Sequence, residues 1–298
     1  MFIAISFRSF FIVFLNLFYF MMMIRQIGAF VPLTRNSFAM ISKLKMSTSS
    51  DQIWRQASIV SNIAEAVGLR KILVQVDPSV AATYIAPGQY VQIKTGEGKP
   101  GFYAIASPPS TGGESSGVFT FLIKENESNL FLTSASTGSV VDVSAAMGKG
   151  FNVVEYFQKY KYDFPVTNVL MLACGSGLAP IASAIDSGIL GLGQASFNSL
   201  FGSKGTLYLG VRSTAHIPLK DRLSQWEKAG IRVVPVLSKP EDAFTGRRGY
   251  VQDILRQDGI SVPRNSGLLL CGQRLMVEDV KRQCLEAGVF EGRVLLNF

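Results

Sequence analysis

Histidine and cysteine are scarce in this chain of 298 residues, which holds one histidine, His216, and three cysteines, Cys174, Cys271 and Cys284. Structural zinc sites and four-cysteine iron–sulfur clusters need more ligands than these residues supply. A hydrolase of the Ser-His-Asp or Cys-His type would depend on His216 alone. The cysteines lack C-x-x-C spacing, which argues against a disulfide framework and suits a reducing compartment. We therefore expect no metal site and chemistry that does not depend on histidine.

Acidic residues are absent from residues 1–50, which carry five of the basic residues. The whole chain has 29 Lys+Arg against 21 Asp+Glu and a formal net charge of +8, so residues 51–298 carry only +3. Seven of the 21 phenylalanines also lie in the first 24 residues. The sequence pI of 9.4 and the mean hydropathy of +0.27 thus largely reflect the N-terminus. They do not indicate a nucleic-acid partner.

The N-terminus has the order of a targeting sequence. Arg8 is followed by sixteen uncharged, mostly apolar residues and then by Gly28 and Ala29, as in a signal peptide. The apolar run is short for a membrane span, which needs about 20 residues. Residues 30–50 are rich in Ser and Thr and basic, like a transit peptide. The order, with Phe30 at the junction, resembles the bipartite presequence of proteins of secondary plastids.

We therefore expect a signal peptide at residues 1–29, a transit peptide at 30–50, a plastid location and no membrane span in the mature protein. Two alternatives remain, an uncleaved signal anchor and translation from Met46, which would give a secretory or cytoplasmic protein. The N-terminal sequence of the mature protein distinguishes them, because a chain that still begins near Met1 contradicts the plastid prediction.

Residues 51–160 show short strands between Gly, Pro and Ser turns, which predicts a small antiparallel β-barrel. The clearest strands are 71–76, 90–94 and 118–123, and 128–135 is the only helix expected there. Residues 156–168 are expected to be the linker. From residue 166 to 298 strands alternate with helices, which predicts a doubly wound parallel sheet. Residues 194–204 are expected to be an insertion.

One turn of the second domain carries a nucleotide-binding pattern, CGSGLAP, between a buried strand and a helix. Its glycines, Gly175 and Gly177, allow a tight turn and a close approach of a pyrophosphate to the helix N-terminus. Pro180 is compatible with a first helical turn. A Gly-x-Gly turn alone is equally compatible with an ordinary strand–turn–helix.

Three further segments accompany this turn: PGQYVQI at 87–93 together with YAIASP at 103–108, GVR at 210–212, and CGQRLMV at 271–277. In this order and spacing they resemble the ferredoxin–NADP⁺ reductase superfamily of flavin oxidoreductases, over residues 54–298. The resemblance implies an FAD-binding barrel followed by an NAD(P)-binding domain. It also implies hydride transfer between the nicotinamide and the flavin, for which the protein supplies position and electrostatics.

The resemblance assigns candidate residues to each cofactor. Tyr103 is the first catalytic candidate. Its whole strand would lie along the flavin, and that strand comprises Tyr103, Ala104, Ile105, Ala106 and Ser107. Ser128 and Asn129 would hold the flavin pyrophosphate. The nicotinamide nucleotide would face Gly175, Gly177 and Pro180, with Cys271, the second catalytic candidate, and Gly272 at its ring. Phe298 would stack on the flavin or cap a strand.

The chain departs from the family pattern at two positions. Gly101 stands where the family has an arginine that clamps a phosphate, so the choice of FAD over FMN stays open. Ala104 stands where the family has a serine near the flavin ring. A catalytically weakened relative that acts as a regulatory or partner-binding module is therefore the alternative to an NAD(P)H oxidoreductase. No motif identifies the electron acceptor, for which a small redox protein is one candidate.

The sequence favours NADP(H) over NAD(H). A 2′-phosphate needs basic and hydroxyl side chains near the ribose, and an acid there favours NAD(H). The resemblance assigns this function to four residues: Arg212, Ser238, Lys239 and Tyr250. No acid lies between Val211 and Lys220. Arg247 and Arg248 either add charge nearby or form a solvated turn.

Overall fold

The computed structural model describes residues 53–109, 117–159, 162–192 and 204–297. The expected presequence, residues 194–203 of the expected insertion, and Phe298 lie outside the described residues. Predictions on those segments stay predictions.

The first sheet is antiparallel. Its strands are β1 (Trp54–Ala66), β2 (Leu69–Gln75), β3 (Tyr90–Lys94), β4 (Gly101–Ala104), β5 (Val118–Lys124) and β6 (Val140–Ser144), in the order β4-β3-β6-β1-β2-β5. A bridge between Ile105 and Phe121 connects the continuation of β4 to β5, so the sheet closes on itself. The interior holds fully buried side chains such as Ile72, Val91 and Phe121. The predicted barrel is therefore confirmed.

The helices of this domain differ from the prediction. The expected helix 128–135 is a 3₁₀ turn, Glu127–Asn129, followed by the four-residue α2 (Leu130–Thr133). A second short helix, α1 (Pro78–Ala81), was not expected. It forms because the Asp77 carboxylate accepts a hydrogen bond from the Ser79 backbone N–H at 2.8 Å, while Pro78 has a fixed φ that suits the first turn.

The second sheet is parallel. Its strands are β7 (Asn168–Cys174), β8 (Lys204–Val211), β9 (Arg232–Leu237), β10 (Arg247–Arg248), β11 (Ser266–Cys271) and β12 (Val294–Leu296), in the order β10-β9-β8-β7-β11-β12. Its helices are α3 (Leu178–Asp186), α4 (Lys220–Lys228), α5 (Val251–Asp258) and α6 (Arg274–Glu286). α3 and α4 cover one face, and α5 and α6 cover the other. This is the predicted doubly wound sheet.

The strand order reverses between β7 and β11. In such sheets ligands bind in the crevice at the carboxyl ends of the two strands where the order reverses. Here those ends are Cys174 and Cys271. The two loops that follow these cysteines are therefore the expected binding place for a ligand.

The segment between the sheets contains a turn of π-helix, Val154–Gln158, so the stretch 156–168 expected to be a linker begins inside a helical turn and ends in β7. This stretch packs against the parallel sheet and is not a free linker, because Phe157 is buried in the core that it shares with Val166 and Val169. Within the described residues no helix combines the length and hydropathy that crossing a membrane requires.

Candidate functional site

The loops after β7 and β11 pack directly against each other. Gly177 is buried, and a Cβ added to it would overlap the carbonyl oxygen of Cys271 and lie 3.2 Å from the backbone nitrogen of Gly272. A Cβ added to Gly272 would lie 3.1 Å from the Cβ of Cys174. Glycine at both positions thus allows the two backbones to meet.

The remaining residues of the turn shape its entry into α3. Gly175 has φ +55°, which favours glycine, and nothing lies within 4 Å of where its Cβ would be. Pro180 is buried in the first turn of α3, where its missing N–H costs no helical hydrogen bond. The glycine turn and the helix N-terminus therefore lie together at the crevice, as an anion-binding turn requires.

The two cysteines of the crevice are protonated at neutral pH. Burial raises the pKa of Cys174 to about 11. Burial, and to a lesser extent the neighbouring Cys174, raises the pKa of Cys271 to about 12. Because only a thiolate is nucleophilic, Cys271 is suited to be a neutral contact and unsuited to covalent catalysis.

On the barrel side, Tyr103 covers the position where the family has an arginine. A Cβ added to Gly101 would overlap the Tyr103 hydroxyl and lie 2.7 Å from its Cζ. Tyr103 is half-buried, and burial raises the pKa of its phenol, so it is neutral. Ala104 beside it is also half-buried. A planar ligand ring could therefore stack on a half-buried aromatic surface at this part of the strand. The strand has no side chain here that would clamp a phosphate.

The rest of the expected flavin strand points elsewhere. Ile105 and Ala106 are fully buried, and their backbone N–H groups donate to Gln89 and Thr120. The Ser107 hydroxyl accepts the Thr120 N–H at 3.2 Å. Ile105 and Ala106 therefore build the barrel wall, while Tyr103, Ala104 and Ser107 are partly exposed.

Both polar atoms of the Asn129 side chain form hydrogen bonds within its own turn. Its Oδ1 accepts the Asn126 N–H at 3.0 Å, and its Nδ2 donates to the Lys124 carbonyl at 2.8 Å. The exposed Ser128 hydroxyl donates to the Asn126 side chain at 2.6 Å. Asn129 thus shapes the turn at which the pyrophosphate is expected, and its side chain is not available as a ligand-binding group.

A buried tyrosine that the sequence did not point to connects the two domains. The Tyr84 hydroxyl, 2.6 Å from the Ser183 hydroxyl of α3, donates to the Ser107 carbonyl at 2.8 Å. Tyr84 is 4% exposed and Ser183 is fully buried. The strand expected at the flavin and the helix that follows the glycine turn are therefore fixed to each other.

A second contact joins the barrel to the loop after β8. The Glu65 carboxylate accepts the Leu219 N–H at 2.7 Å, and the Val67 N–H donates to the Ala215 carbonyl at 3.1 Å. Leu219 has φ +52°, the one left-handed residue other than glycine among the described residues. The barrel thus helps to hold the strained residue that begins α4.

The residues expected at the nucleotide phosphate lie together at the carboxyl ends of β8 and β9. The Ser238 N–H donates to the Val211 carbonyl at 3.0 Å, and the Lys239 N–H donates to the Arg212 carbonyl at 2.8 Å. Tyr250 is exposed and precedes α5, close to the end of β9. Arg212 and Lys239 form no ion pair within the described part of the chain.

The neighbouring arginines are already bound to the protein. Arg247 pairs with Asp258 at 2.6 Å, and Arg248 donates to three backbone carbonyls of the turn before it. An acid that the sequence did not predict also lies at this edge. The Glu241 carboxylate accepts a hydrogen bond from the Thr214 hydroxyl at 2.8 Å, although the two residues are 27 positions apart. Hydrogen bonds from its own backbone and from Thr214 hold the pKa of Glu241 below its usual value.

The described residues contain no group of three or more His, Cys, Asp or Glu side chains that could hold a metal ion. The side chains described above are an aromatic ring on the barrel, neutral thiols at the carboxyl ends of β7 and β11, and two cations after β8 and β9. They fit a planar cofactor and a phosphorylated nucleotide.

Comparison with known proteins agrees with this arrangement. Residues 171–282 match the family model of the oxidoreductase NAD-binding domain. The chain is 32% identical over 245 residues to fruit protein pKIWI502 of Actinidia deliciosa, covering 78% of this chain and 73% of that protein. A ferredoxin NADP⁺ reductase from Neisseria gonorrhoeae with bound FAD and NADP superposes with TM-score 0.65 at 19% identity, covering 83% and 98%. The CS-b5R domains of human Ncb5or superpose with TM-score 0.66 at 17% identity, covering 85% and 71%.

The barrel, the parallel sheet and the crevice between them define a two-domain, flavin- and nicotinamide-nucleotide-binding class of protein. The chain belongs to the ferredoxin–NADP⁺ reductase-like superfamily of FAD- and NAD(P)-binding oxidoreductases. Its two-domain fold is that of a ferredoxin NADP⁺ reductase. Because the sequence identity to the two solved structures is low, the likeness to them shows the fold alone.

Proposed function

We propose that the chain is a flavin-dependent oxidoreductase that passes electrons from NADPH through FAD to an acceptor such as a small redox protein. One observation carries the proposal. Tyr84 fixes the strand expected at the flavin to α3, the helix that follows the glycine turn of the nucleotide domain, through a 2.6 Å contact with Ser183. The two binding elements are thereby held as one unit, which hydride transfer across the crevice requires.

The chain's own residues would bind and orient the reactants. Tyr103 and Ala104 would lie against the flavin ring, and the neutral Cys271 thiol would lie beside the nicotinamide without competing for the hydride. When bound, a flavin accepts two electrons together and can release them singly. Ala106 and Leu122 of the barrel belong to the same buried apolar cluster as Leu178 of α3, and such a cluster excludes water.

The choice of FAD over FMN is supported less directly, because Gly101 has no side chain that could clamp a phosphate. The support is the turn at Asn126–Asn129, which Asn129 holds in place and which matches the family's pyrophosphate segment. FAD is therefore expected to bind through backbone groups of this turn, without the charge-assisted bonds of an arginine.

The purified protein is expected to be yellow, or to become so on incubation with FAD, and to lose its flavin absorbance when NADPH is added without oxygen. FMN is expected to bind more weakly. A protein that binds flavin but is not reduced by either nucleotide would favour the regulatory or partner-binding alternative. A protein that takes up no flavin contradicts the proposal.

The preference for NADPH is supported by Arg212 and Lys239, whose charges form no ion pair within the described residues. Glu241 is the observation that favours NADH, because an acid at this edge can accept a ribose hydroxyl. We favour NADPH because the Glu241 carboxylate already accepts the Thr214 hydroxyl, at 2.8 Å.

Replacing Arg212 with alanine is expected to lower kcat/KM for NADPH by roughly 10–100-fold, as loss of a charge-assisted hydrogen bond does, and to leave NADH nearly unchanged. Arg247→Ala is the matched control, because Arg247 is bound to Asp258 at 2.6 Å. Steady-state kinetics with both nucleotides decide the question. A preference of the unmodified protein for NADH that Glu241→Gln weakens would contradict the proposal and assign the ribose contact to Glu241.

A further inference from the structure

Asn297 carries a buried acceptor without a donor. The residue is 5% exposed, and its Oδ1 has no hydrogen-bond partner. Among the described residues the only other such side-chain atom is the Nε of Arg293. A buried polar atom that lacks a partner is costly, and an amide of this kind calls for an explanation such as a missing ligand.

The position of Asn297 links it to the crevice. It directly follows β12, whose last residue, Leu296, is paired with Leu270, the residue before Cys271 in β11. Its backbone carbonyl is 3.8 Å from where a Cβ of Gly148 would be. The chain therefore passes between the carboxyl end of the parallel sheet and a loop of the barrel at this residue.

The barrel loop at Gly148 is tied to the flavin side of the molecule. Met147 and Tyr90 exchange backbone hydrogen bonds at 2.7 and 3.1 Å, and Tyr90 is paired with Ala104 of β4. Asn297 thus lies next to a barrel loop that is connected, through Tyr90, to the strand of Tyr103 and Ala104.

The neighbouring protein donors are already used. The backbone N–H groups of Tyr90 and Met147 bond to each other's carbonyls, and the Gln89 Nε2 donates to the Gly148 carbonyl at 3.0 Å. None of these three donors is therefore available to Oδ1, and a bound molecule with an N–H group could supply the donor that it lacks.

We infer that Asn297 is a cofactor-binding residue whose Oδ1 accepts an amide-type N–H from the heteroaromatic ring held at this junction. This inference rests on the proposed function. Two cofactors share the required chemistry, because the flavin ring and the carboxamide of nicotinamide both carry such an N–H. The alternative is that Asn297 is a structural amide. In that case the stability of the apoprotein depends on its side chain.

The test compares Asn297→Leu with Asn168→Leu. Asn168 lies at the opposite end of the same sheet, and its Nδ2 donates to the Ser266 hydroxyl at 2.8 Å, so it is a satisfied amide. Urea unfolding of the apoproteins, titration with FAD, and titration of the FAD-loaded proteins with NADP⁺ and NAD⁺ are measured for both variants and the unmodified protein.

The apoprotein of Asn297→Leu is expected to be at least as stable as the unmodified apoprotein, because the change removes an unpaired polar group. Its Kd for the cofactor is expected to rise about tenfold, the loss of one hydrogen bond to a buried acceptor. If FAD is the donor, FAD binding weakens and the flavin spectrum shifts. If the nicotinamide is the donor, only the nucleotide titration changes. Asn168→Leu is expected to lower stability and to leave both titrations and the spectrum unchanged.

An Asn297→Leu apoprotein that is less stable, with both Kd values and the spectrum unchanged, would overturn the inference while leaving the proposed function intact. If the unmodified protein itself bound neither FAD nor a nicotinamide nucleotide, the proposed function and the inference would both fail.

Discussion

Replacing Gly177 with alanine is expected to lower the free energy of unfolding by about 2–3 kcal/mol and to weaken nucleotide binding roughly tenfold or more. Backbone strain is not the reason, because φ at Gly177 is −62°, a value that alanine adopts freely. The reason is that the new Cβ would overlap the Cys271 carbonyl oxygen and lie 2.8 Å from its carbonyl carbon. Backbone atoms cannot rotate away as a side chain can, so the glycine turn has to move off the end of β11.

Gly188→Ala is the matched control for this prediction. Gly188 has φ +70°, and nothing lies within 4 Å of where its Cβ would be, so alanine there introduces strain of about 1 kcal/mol without a collision. Urea unfolding and calorimetric titration with NADP⁺ measure the two effects. Nucleotide binding is expected to survive in Gly188→Ala. A Gly177→Ala protein as stable as the unmodified one would show that the two loops do not meet as closely as the structure has them.

The architecture was predictable because it depends on local patterns. Strands at short spacing followed by alternating strands and helices determine the barrel and the parallel sheet, and the Gly-x-Gly turn after β7 is found at the expected place. The residues Arg212, Ser238 and Lys239 lie close together, because the carboxyl ends of neighbouring parallel strands share one edge.

The contacts that connect the domains were not predictable, because they join residues far apart in sequence. The hydroxyl of Tyr84 meets Ser183 from 99 residues away, and Glu65 meets the backbone of Leu219 from 154 residues away. Neither residue has a local pattern that distinguishes it from an ordinary strand or turn residue. Glu241 was not predictable for the same reason, since it comes from the loop after β9 and contacts Thr214, which lies 27 residues earlier in the chain.

The assignment of Asn129 shows a different limit. The family motif points to this turn, but the motif does not say whether a side chain contacts the ligand or only holds the backbone. In the structure both polar atoms of the Asn129 amide are bonded to the turn itself. Sequence identifies such a segment, whereas the division of its residues between shaping and binding depends on side-chain geometry.

Replacing Arg293 with alanine is expected to lower the free energy of unfolding by about 3–5 kcal/mol. The side chain is 1% exposed and forms no ion pair in the described part of the chain. Instead its Nη1 donates to the Arg264 carbonyl at 2.6 Å and its Nη2 donates to the Phe164 carbonyl. Its guanidinium lies 5.0 Å from the ring centre of Tyr162, which stacks on Phe290. Alanine would leave a cavity and two carbonyls without donors.

This prediction separates the shape of the guanidinium from its charge. Arg293→Lys keeps the charge but loses the planar fork, so it is expected to recover less than half of the loss. Arg264→Ala is the control, because that exposed side chain lies over the Phe164 ring without an ion pair in the described part of the chain, and its backbone carbonyl is retained. Urea unfolding measures stability, and hydrogen exchange of residues 162–166 locates the change. If Arg293→Met were as stable as the unmodified protein, the hydrogen bonds would only offset the cost of burying the charge, and packing alone would hold the linker to the sheet.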